Sequence, residues 1–396
     1  MTNKTIAGLR RKLKMFSDSR RSYKALRRHL NKQPIGYPST LTGVEIRLLK
    51  EMFTVDEAQA ALHLNSKHET FDTIYARAKV NGDGEASFRN LLDSMGKKGS
   101  IFVKHVDGEP RYALHPIAIG MFEFQAKRLS PNFFLDIHKY FYPWFGLEFF
   151  TTKPPQLRVI PVEKGLPPAQ GGIATYDHIR KIIEDTEGQI GIVNCICKTG
   201  KDMMGEPCKV THRRDICMVL DEIADPYIRN GWARPITKAE AIETLNLNEK
   251  EGLVLTVSTL QKPQFVCSCC SCCCGVLEAF NLMPRPTDFA ASNFYAVLDR
   301  SLCNGCRLCA DRCPMNAIRY DDQTKKSVPT LEAKRCIGCG LCASSCSKKA
   351  ITLIKKNEEL CPPKDLDQLY EVILQNKKST LGKLTQMAKA VFGMKV

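Results

Sequence analysis

Eight cysteines between residues 303 and 346 constrain this chain more than any other feature. They form two quartets with identical spacing, CNGCRLCADRC at residues 303–313 and CIGCGLCASSC at residues 336–346. In this spacing, three thiolates of each quartet wrap one iron–sulfur cube and the fourth ligates the other cube. The spacing therefore predicts two 4Fe–4S clusters. Cluster 1 is assigned to Cys303, Cys306, Cys309 and Cys346, and cluster 2 to Cys336, Cys339, Cys342 and Cys313.

A zinc site or a disulfide framework is the alternative interpretation of these cysteines. Zinc sites typically use two short cysteine pairs a dozen or more residues apart, not two identical quartets. Gly305, Gly338 and Gly340 stand inside the loops. Glycine allows the unusual backbone dihedrals that bring N–H groups close to sulfide. Iron–sulfur ligation is therefore the favoured interpretation.

Residues 298–354 resemble bacterial two-cluster ferredoxins, on the two quartets and on Pro314 after Cys313. The resemblance implies a ferredoxin-like fold and one-electron chemistry for this segment. The segment departs from the pattern at one position, because Ser347 rather than proline follows Cys346.

Ten further cysteines are concentrated within 80 residues upstream of the quartets. They are Cys195, Cys197, Cys208, Cys217, Cys267, Cys269, Cys270, Cys272, Cys273 and Cys274. Free thiols crowded in this way would oxidise or scavenge metal. Soft sulfur ligands suit iron–sulfur clusters or zinc. We expect a third cluster here, with enough thiols for a fourth, and zinc as the alternative.

The central cysteines are predicted to come from different kinds of element. A buried strand at residues 190–196 would direct Cys195 and Cys197 to one face, since alternate side chains of a strand share a face. Cys208 would come from a glycine-containing loop, and Cys217 from the helix after it. The subset that binds each cluster stays open.

The chain carries a formal charge of +16 that is concentrated at its ends. Residues 1–33 hold eleven Lys or Arg and one acid, and residues 372–396 hold five Lys and no acid. Basic ends of this kind suit an acidic redox partner or peripheral contact with an anionic membrane. The alternative is a solvated helix packed on its own domain. No apolar run approaches the ~18 residues that a membrane span needs.

The nineteen cysteines and the length of 396 residues indicate metal ligation in a reducing compartment. We therefore expect a cytoplasmic protein from an anaerobic host. We predict an α+β multidomain chain with a winged-helix-like module, a cysteine-rich α/β central domain and a dicluster ferredoxin-like domain. The predicted parts are a basic amphipathic helix at 1–33, a winged-helix-like and aromatic-rich helical domain at 34–150, a cysteine-rich cluster-binding domain at 151–285, a two-cluster ferredoxin domain at 286–360 and a basic helical tail at 361–396.

Local signals support several of these elements. The capping-box pattern occurs at 54–57, 66–69 and 237–240, so helices are expected to begin there. Asp107-Gly108 between two apolar runs predicts a β-hairpin. Three helices followed by a hairpin resemble a winged-helix module, yet the third helix carries only Arg89 as a cation, which argues against DNA binding.

The order of these segments is similar to a loosely defined group of bacterial 4Fe–4S dicluster proteins, which implies iron–sulfur binding and electron transfer. The leading hypothesis is an electron-transfer protein, or the electron-input subunit of an oxidoreductase complex. The first alternative is a reductase whose substrate site lies at an atypical central cluster. The second is a redox-sensing DNA-binding regulator. No glycine-rich nucleotide loop is apparent, so electrons are expected from a partner protein.

Overall fold

The computed structural model describes residues 19–79, 84–166, 174–320 and 328–396. The chain forms two compact units, Met1–Glu148 and Phe149–Val396. Both combine helices with small sheets, which confirms the α+β class in its general form. Across the parts of the chain that the structure describes, no helix combines the length and apolar character that crossing a membrane requires.

The first unit is built from helices and a three-stranded antiparallel sheet of order β1-β3-β2. Its described helices are α1 (19–31), α2 (Val44–Met52), α3 (Val55–Ala60), α4 (Phe71–Ala78), α5 (Glu85–Lys97) and α6 (Pro131–Tyr140). The sequence boundary between the units falls within α7 (Gly146–Thr151). Its strands are β1 (Glu69–Thr70), β2 (Phe102–Val106) and β3 (Glu109–Ala113).

Two of the local signals in this unit are confirmed and one is wrong. Thr54 forms a complete capping box at the start of α3, and the turn between β2 and β3 has positive φ at both Asp107 and Gly108. The pattern at 66–69 does not begin a helix. Glu69 pairs with the hairpin in β1, and the N-cap of α4 is Thr70, whose side chain accepts from the Thr73 N–H.

The described part of the basic N-terminal helix packs within its own unit. Tyr23, Leu26 and Leu30 of α1 are buried, and the Tyr23 hydroxyl donates to the Phe53 carbonyl oxygen at 2.8 Å. The remainder of the predicted helix, from residue 4 to residue 18, lies outside the described residues.

The cations expected on the third helix of the winged-helix-like segment have partners inside the unit. The Arg89 guanidinium lies 3.6 Å from the centre of the Phe71 ring and 3.5 Å from the Glu85 carboxylate. Lys98, just past the end of α5, pairs with Glu57. These contacts use cations that a DNA-binding helix would present to phosphates, and the winged-helix resemblance stays a prediction.

The second unit contains a six-stranded sheet of order β4-β8-β9-β6-β5-β7, and every neighbouring strand pair in it is antiparallel. The central region is therefore α+β, so the prediction of an α/β central domain is wrong. The strands of this sheet are β4 (Leu157–Ile160), β5 (Ile190–Asn194), β6 (Asp215–Leu220), β7 (Arg234–Ile236), β8 (Val254–Ser258) and β9 (Phe265–Cys269). The associated helices are α8 (Ile179–Asp185), α9 (Ile196–Met203), α10 (Ala224–Arg229), α11 (Lys238–Glu251) and α12 (Gly275–Leu282).

The ferredoxin-like segment belongs to the same unit and has near-repeated halves. Its elements are β10 (Phe294–Leu298), α13 (Leu308–Asp311), β11 (Ile318–Arg319), β12 (Thr330–Leu331), α14 (Leu341–Ser345) and β13 (Ile351–Lys355). Strand β10 pairs with β13, and β11 pairs with β12. Apolar side chains such as Phe294 and Leu353 form the core on which both cysteine loops pack.

The chain ends in helices α15 (Leu366–Gln375) and α16 (Thr380–Val391). The apolar stripe of the last helix faces solvent, since Leu381 is 74% exposed and Phe392 beyond its end is 81% exposed. Lys383 and Ala390 lie on its buried face instead. This apolar surface is available to a partner.

A buried ion pair holds strand β4 against the segment before α8. The Arg158 Nη1 group donates to Asp177 Oδ1 at 2.7 Å, and Asn293 donates to the other carboxylate oxygen at 2.8 Å. Burial lowers the pKa of Arg158 to about 10 and raises the pKa of Asp177. Both shifts favour the neutral forms, so the cost of desolvation exceeds the attraction between the two charges.

Replacing one member of this pair is therefore expected to cost more than replacing both. Arg158→Met leaves Asp177 as an uncompensated buried charge, which costs about 3–5 kcal/mol. The Arg158→Met/Asp177→Leu protein should unfold at a denaturant concentration closer to wild type than either single variant. The measurement is anaerobic denaturant unfolding of all four proteins. A double variant less stable than both single variants would contradict this reading of the pair.

Candidate metal centre

The eight ferredoxin-type cysteines lie on the loops and short helices of the repeated halves. Cys309 is in α13 and Cys342 is in α14, while Cys313 and Cys346 follow the ends of these helices. The other members of the quartets precede the helices in extended loops. In each half the third cysteine thus lies on the short helix and the fourth lies just past its end.

The cysteines assigned to cluster 2 surround one apolar cavity. It is lined by all four of them, Cys313, Cys336, Cys339 and Cys342, and by apolar residues from β10, β11, β12 and β13. Cys339 and Cys342 are buried. Burial raises the pKa of the Cys313, Cys339 and Cys342 thiols. Without a cation they are therefore neutral thiols, and metal binding would release their protons.

The cysteines assigned to cluster 1 lie nearer the surface. Cys306 is exposed and Cys303 is half-buried, whereas Cys309 is buried. Cys309 packs on the same apolar core as Cys346. The Tyr320 hydroxyl lies 3.6 Å from Cys309 Sγ, and burial together with this contact raises the pKa of Tyr320.

Backbone N–H groups donate to two of the cluster 2 sulfurs, and the cysteine loops contain glycines in the left-handed conformation. The Ala296 and Ala317 N–H groups each donate to sulfur at 3.3 Å, to Cys336 and Cys313 respectively. Gly338 has φ +72°, and a Cβ there would lie 2.5 Å from Ser292 Oγ and overlap the carbonyl oxygen of residue 294. Gly305 and Gly340 also have positive φ, so the conformation predicted for these loops is present.

The structure corrects the predicted positions of two central cysteine segments. Strand β5 ends at Asn194 after a register shift, and α9 begins at Ile196. Cys195 is therefore the N-cap of a helix and Cys197 lies within its first turn, so neither is on a strand. Cys217 is on strand β6 rather than on a helix.

Four central cysteines form a compact set, here called the four-thiol group, in which all sulfur atoms lie within 4.8 Å of one another. The members are Cys208, Cys270, Cys272 and Cys273. Cys208 comes from the loop after α9, as predicted, and the other three come from the turn between β9 and α12. The fully buried side chains of Ile216 and Leu253 pack against this group.

The other six central cysteines form a second set, here called the six-thiol group, in which each thiol shifts the pKa of the next one in a series. In that order they are Cys197, Cys195, Cys217, Cys267, Cys269 and Cys274. Met218 of β6 pairs with Val266 of β9, which places Cys217 beside Cys267 on one face of the sheet.

Two helix N-termini face the six-thiol group. Cys195 is the N-cap of α9 and Cys274 is the N-cap of α12. The partial positive charge at a helix N-terminus stabilises negative charge. Hydrogen bonds from neighbouring thiols lower the pKa of Cys195 and of Cys269, so this group can hold thiolates although it is buried.

Lys198 is a buried cation between the two thiol groups. It is 1% exposed, and its Nζ donates to Cys270 Sγ at 3.1 Å and to the Ser268 carbonyl oxygen at 3.4 Å. Burial lowers the pKa of Lys198, but the nearby thiolates of Cys195 and Cys270 raise that pKa by more, so the ammonium group stays protonated. Its positive charge offsets the negative charge of the thiolates in both groups. Hydrogen bonding from Cys273 and Lys198 lowers the pKa of Cys270 to about 5.

Lys198 is a residue of this site that the sequence did not predict. The one available signal was a lysine directly after Cys197. Asn281 and Arg335 were also missed. Asn281 Nδ2 donates to the Pro314 carbonyl oxygen at 2.8 Å, and Arg335 donates to backbone carbonyls near both Asn281 and Met315. These contacts join α12 to the cluster 2 loop, and no local pattern marks them.

A family model described as a 4Fe-4S dicluster domain matches residues 302–350. This range contains both cysteine quartets, so the chain carries a ferredoxin-type domain that binds at least one 4Fe–4S cluster. No curated protein shows significant similarity to the chain, and no solved structure does.

The Gly338 loop supplies a direct test of cluster 2. Gly338→Ala places a Cβ against the backbone of β10, so the variant should lose about four irons per chain while cluster 1 stays in place. The control is Gly108→Ala, which has φ +83° and no atom within 4 Å of the added Cβ. Iron and sulfide analysis of anaerobically purified proteins measures the difference. Equal iron contents in the two variants would refute the role given to this loop.

Proposed function

We propose that this chain is an iron–sulfur electron-transfer protein, or the electron-input subunit of an oxidoreductase complex. The observation that carries the proposal is the cavity lined by four cysteines inside a segment that matches a 4Fe-4S dicluster domain. Two cubes held by the assigned cysteines of clusters 1 and 2 would pass single electrons. Thiolate ligation, N–H bonds to sulfur and burial would set their potentials.

Cluster 1 would be the cluster at which a partner protein docks, because it lies nearest the surface. Cys306 is exposed, and Leu302 and Leu308 beside it are 52% and 50% exposed. Exposed apolar side chains next to a redox centre suit a short-lived protein contact. Cluster 2 is more deeply buried, so electrons would pass from cluster 1 to cluster 2 and then inward.

Helix α12 is the proposed link from cluster 2 to the central thiols. Asn281, near its C-terminal end, donates to the carbonyl group of Pro314, the neighbour of Cys313. Cys274 caps its other end and belongs to the six-thiol group. Eight helical residues span only ~12 Å. We propose that the six-thiol group holds a third iron–sulfur cluster, which receives or donates the electrons.

The proposed partner is a redox protein with an acidic docking face. The excess of Lys and Arg at both ends of the sequence would attract it, and the exposed apolar stripe of α16 would add contact area. Thiol-rich cluster sites of this kind require a reducing compartment, so the proposed location is the cytoplasm of an anaerobic cell.

A ligand variant tests the electron route. Cys339→Ser should remove about four irons, leave the EPR signal of cluster 1, and slow reduction of the central cluster by a donor that docks at cluster 1. Cys361→Ser is the matched control, because Cys361 is exposed and lies outside all the thiol groups. The measurements are iron content, low-temperature EPR and rapid-mixing reduction. Reduction of the central cluster at the wild-type rate in Cys339→Ser would rule out this route.

A reductase is the second candidate function, and one observation favours it. A largely apolar cleft reaches the six-thiol group at Cys274 and is otherwise lined by side chains such as Phe150, Val276 and Phe280. Lys153 also lines this cleft, and its Nζ donates to the Asp288 carbonyl oxygen at 3.2 Å. A small apolar substrate with an anionic group would fit these walls and could be reduced beside Cys274.

Filling the cleft separates the two candidates. Val276→Trp should block turnover of any reducible substrate while clusters 1 and 2 keep their EPR signals. Leu282→Trp is the control on the same helix, because Leu282 is 77% exposed and lies outside the cleft. Turnover of candidate acids and disulfides with a chemical reductant is the measurement. Equal turnover in both variants would exclude the cleft as the substrate site.

A further inference from the structure

The four-thiol group differs from the other cysteine sets in how closely its sulfur atoms approach. Cys208 Sγ lies 3.6 Å from Cys270 Sγ and 3.9 Å from Cys272 Sγ. Cys272 Sγ lies 3.4 Å from Cys270 Sγ and 3.7 Å from Cys273 Sγ. All remaining separations in this group are below 4.8 Å. The four sulfurs thus form the corners of a small tetrahedron.

These separations match four thiolates that share one metal ion. A tetrahedral metal–thiolate site has bonds of about 2.3 Å, and the edge of that tetrahedron is about 3.8 Å. Each iron of a 4Fe–4S cube takes a single cysteine thiolate instead, so the four sulfurs diverge from the cube and lie further apart. A cube does not fit between sulfurs this close together.

The ferredoxin-type cysteines of the same chain provide an internal comparison. All eight lie in the described residues, yet no other set of three or more His, Cys, Asp or Glu side chains there brings its ligand atoms within 4.8 Å of one another. The cluster 2 cysteines surround a cavity instead. The sulfur atoms of the cluster 2 cysteines are therefore spaced more widely, as a cube requires, and those of the four-thiol group more narrowly, as a single ion requires.

The surroundings of the four-thiol group suit the charge of such a centre. A divalent ion with four thiolates carries a net charge of −2. The Lys198 ammonium group donates to Cys270 Sγ at 3.1 Å, whereas Arg214, whose charge also acts on Cys208 and Cys273, pairs with Asp202. Ile216 and Leu253 exclude water from the apolar side. The buried Lys198 cation beside this largely buried sulfur tetrahedron stabilises a dianion.

We infer that Cys208, Cys270, Cys272 and Cys273 bind one tetrahedral, thiolate-preferring metal ion, Zn²⁺ or Fe²⁺, and not an iron–sulfur cube. With four protein ligands the ion has no open position, so its role is to hold structure rather than to bind substrate. It ties the loop after α9 to the turn between β9 and α12. Cys274, at one end of the six-thiol group, belongs to the same turn and caps α12, so the ion also fixes that end of the group.

Metal and sulfide analysis of the full chain, purified without oxygen, tests this inference. Cys272→Ser should lose about one metal ion per chain, zinc or iron, with no change in acid-labile sulfide, because a single-ion site contains no inorganic sulfide. Cys361→Ser, the exposed control, should match wild type. A loss of zinc identifies the ion as Zn²⁺, and a loss of iron identifies it as Fe²⁺.

Two results would overturn the inference. Loss of about four irons together with sulfide from Cys272→Ser would show that the group ligates a cube, and unchanged metal content would show that it ligates nothing. If the variant does not fold, the wild-type chain is measured instead. X-ray absorption at the zinc edge tests for a Zn²⁺ site, and Mössbauer spectroscopy tests for an Fe²⁺ site. The expected signature is one ion with four sulfur neighbours at about 2.3 Å and no neighbouring metal. A metal neighbour at that ion, or the absence of both zinc and iron outside the cubes, would contradict the inference.

Discussion

The second unit depends on placing negatively charged sulfur inside protein without leaving its charge uncompensated. An isolated buried charge costs far more than a domain can supply, so each thiolate group needs a nearby positive partner. The central thiols have Lys198 and the N-termini of α9 and α12. The cluster 2 sulfurs have backbone N–H groups instead. The two parts of the unit therefore compensate buried sulfur differently, with backbone N–H groups in the ferredoxin segment and a buried lysine in the centre.

Local rules predicted the parts of the structure that are set within a few residues. The two quartets occupy loops and short helices because their spacing suffices to wrap a cube. Thr54 and Thr237 start helices through capping boxes, as predicted. The pattern at 66–69 failed because Glu69 is drawn into β1, where it pairs with Tyr112. Tertiary pairing there outweighs a local cap, and the helix begins after the next available N-cap residue.

The division of the ten central cysteines could not be predicted from their spacing. It follows from the pairing of β6 with β9, which brings Cys217 beside Cys267, and from the end of β5 one residue before Cys195. Alternation along β9 then separates neighbours, since Cys267 and Cys269 share a face that Ser268 does not. A sequence shows how many thiols are available, whereas sheet register decides which of them can reach the same metal.

The two central thiol groups meet at Lys198, and this has a consequence for electron transfer. A buried ammonium group near Cys270 and Cys195 stabilises an added electron on any cluster held by the six-thiol group, because it offsets the extra negative charge at short range. The charge on the four-thiol group acts in the opposite sense. A divalent ion with four thiolates would contribute a net charge of −2, whereas the empty site, with Cys270 as its one thiolate of lowered pKa, would contribute less negative charge. An ion in the four-thiol group would therefore fix the Cys274 end of the neighbouring group and lower the potential of a cluster held there, so the proposed structural and redox roles would be coupled at Lys198.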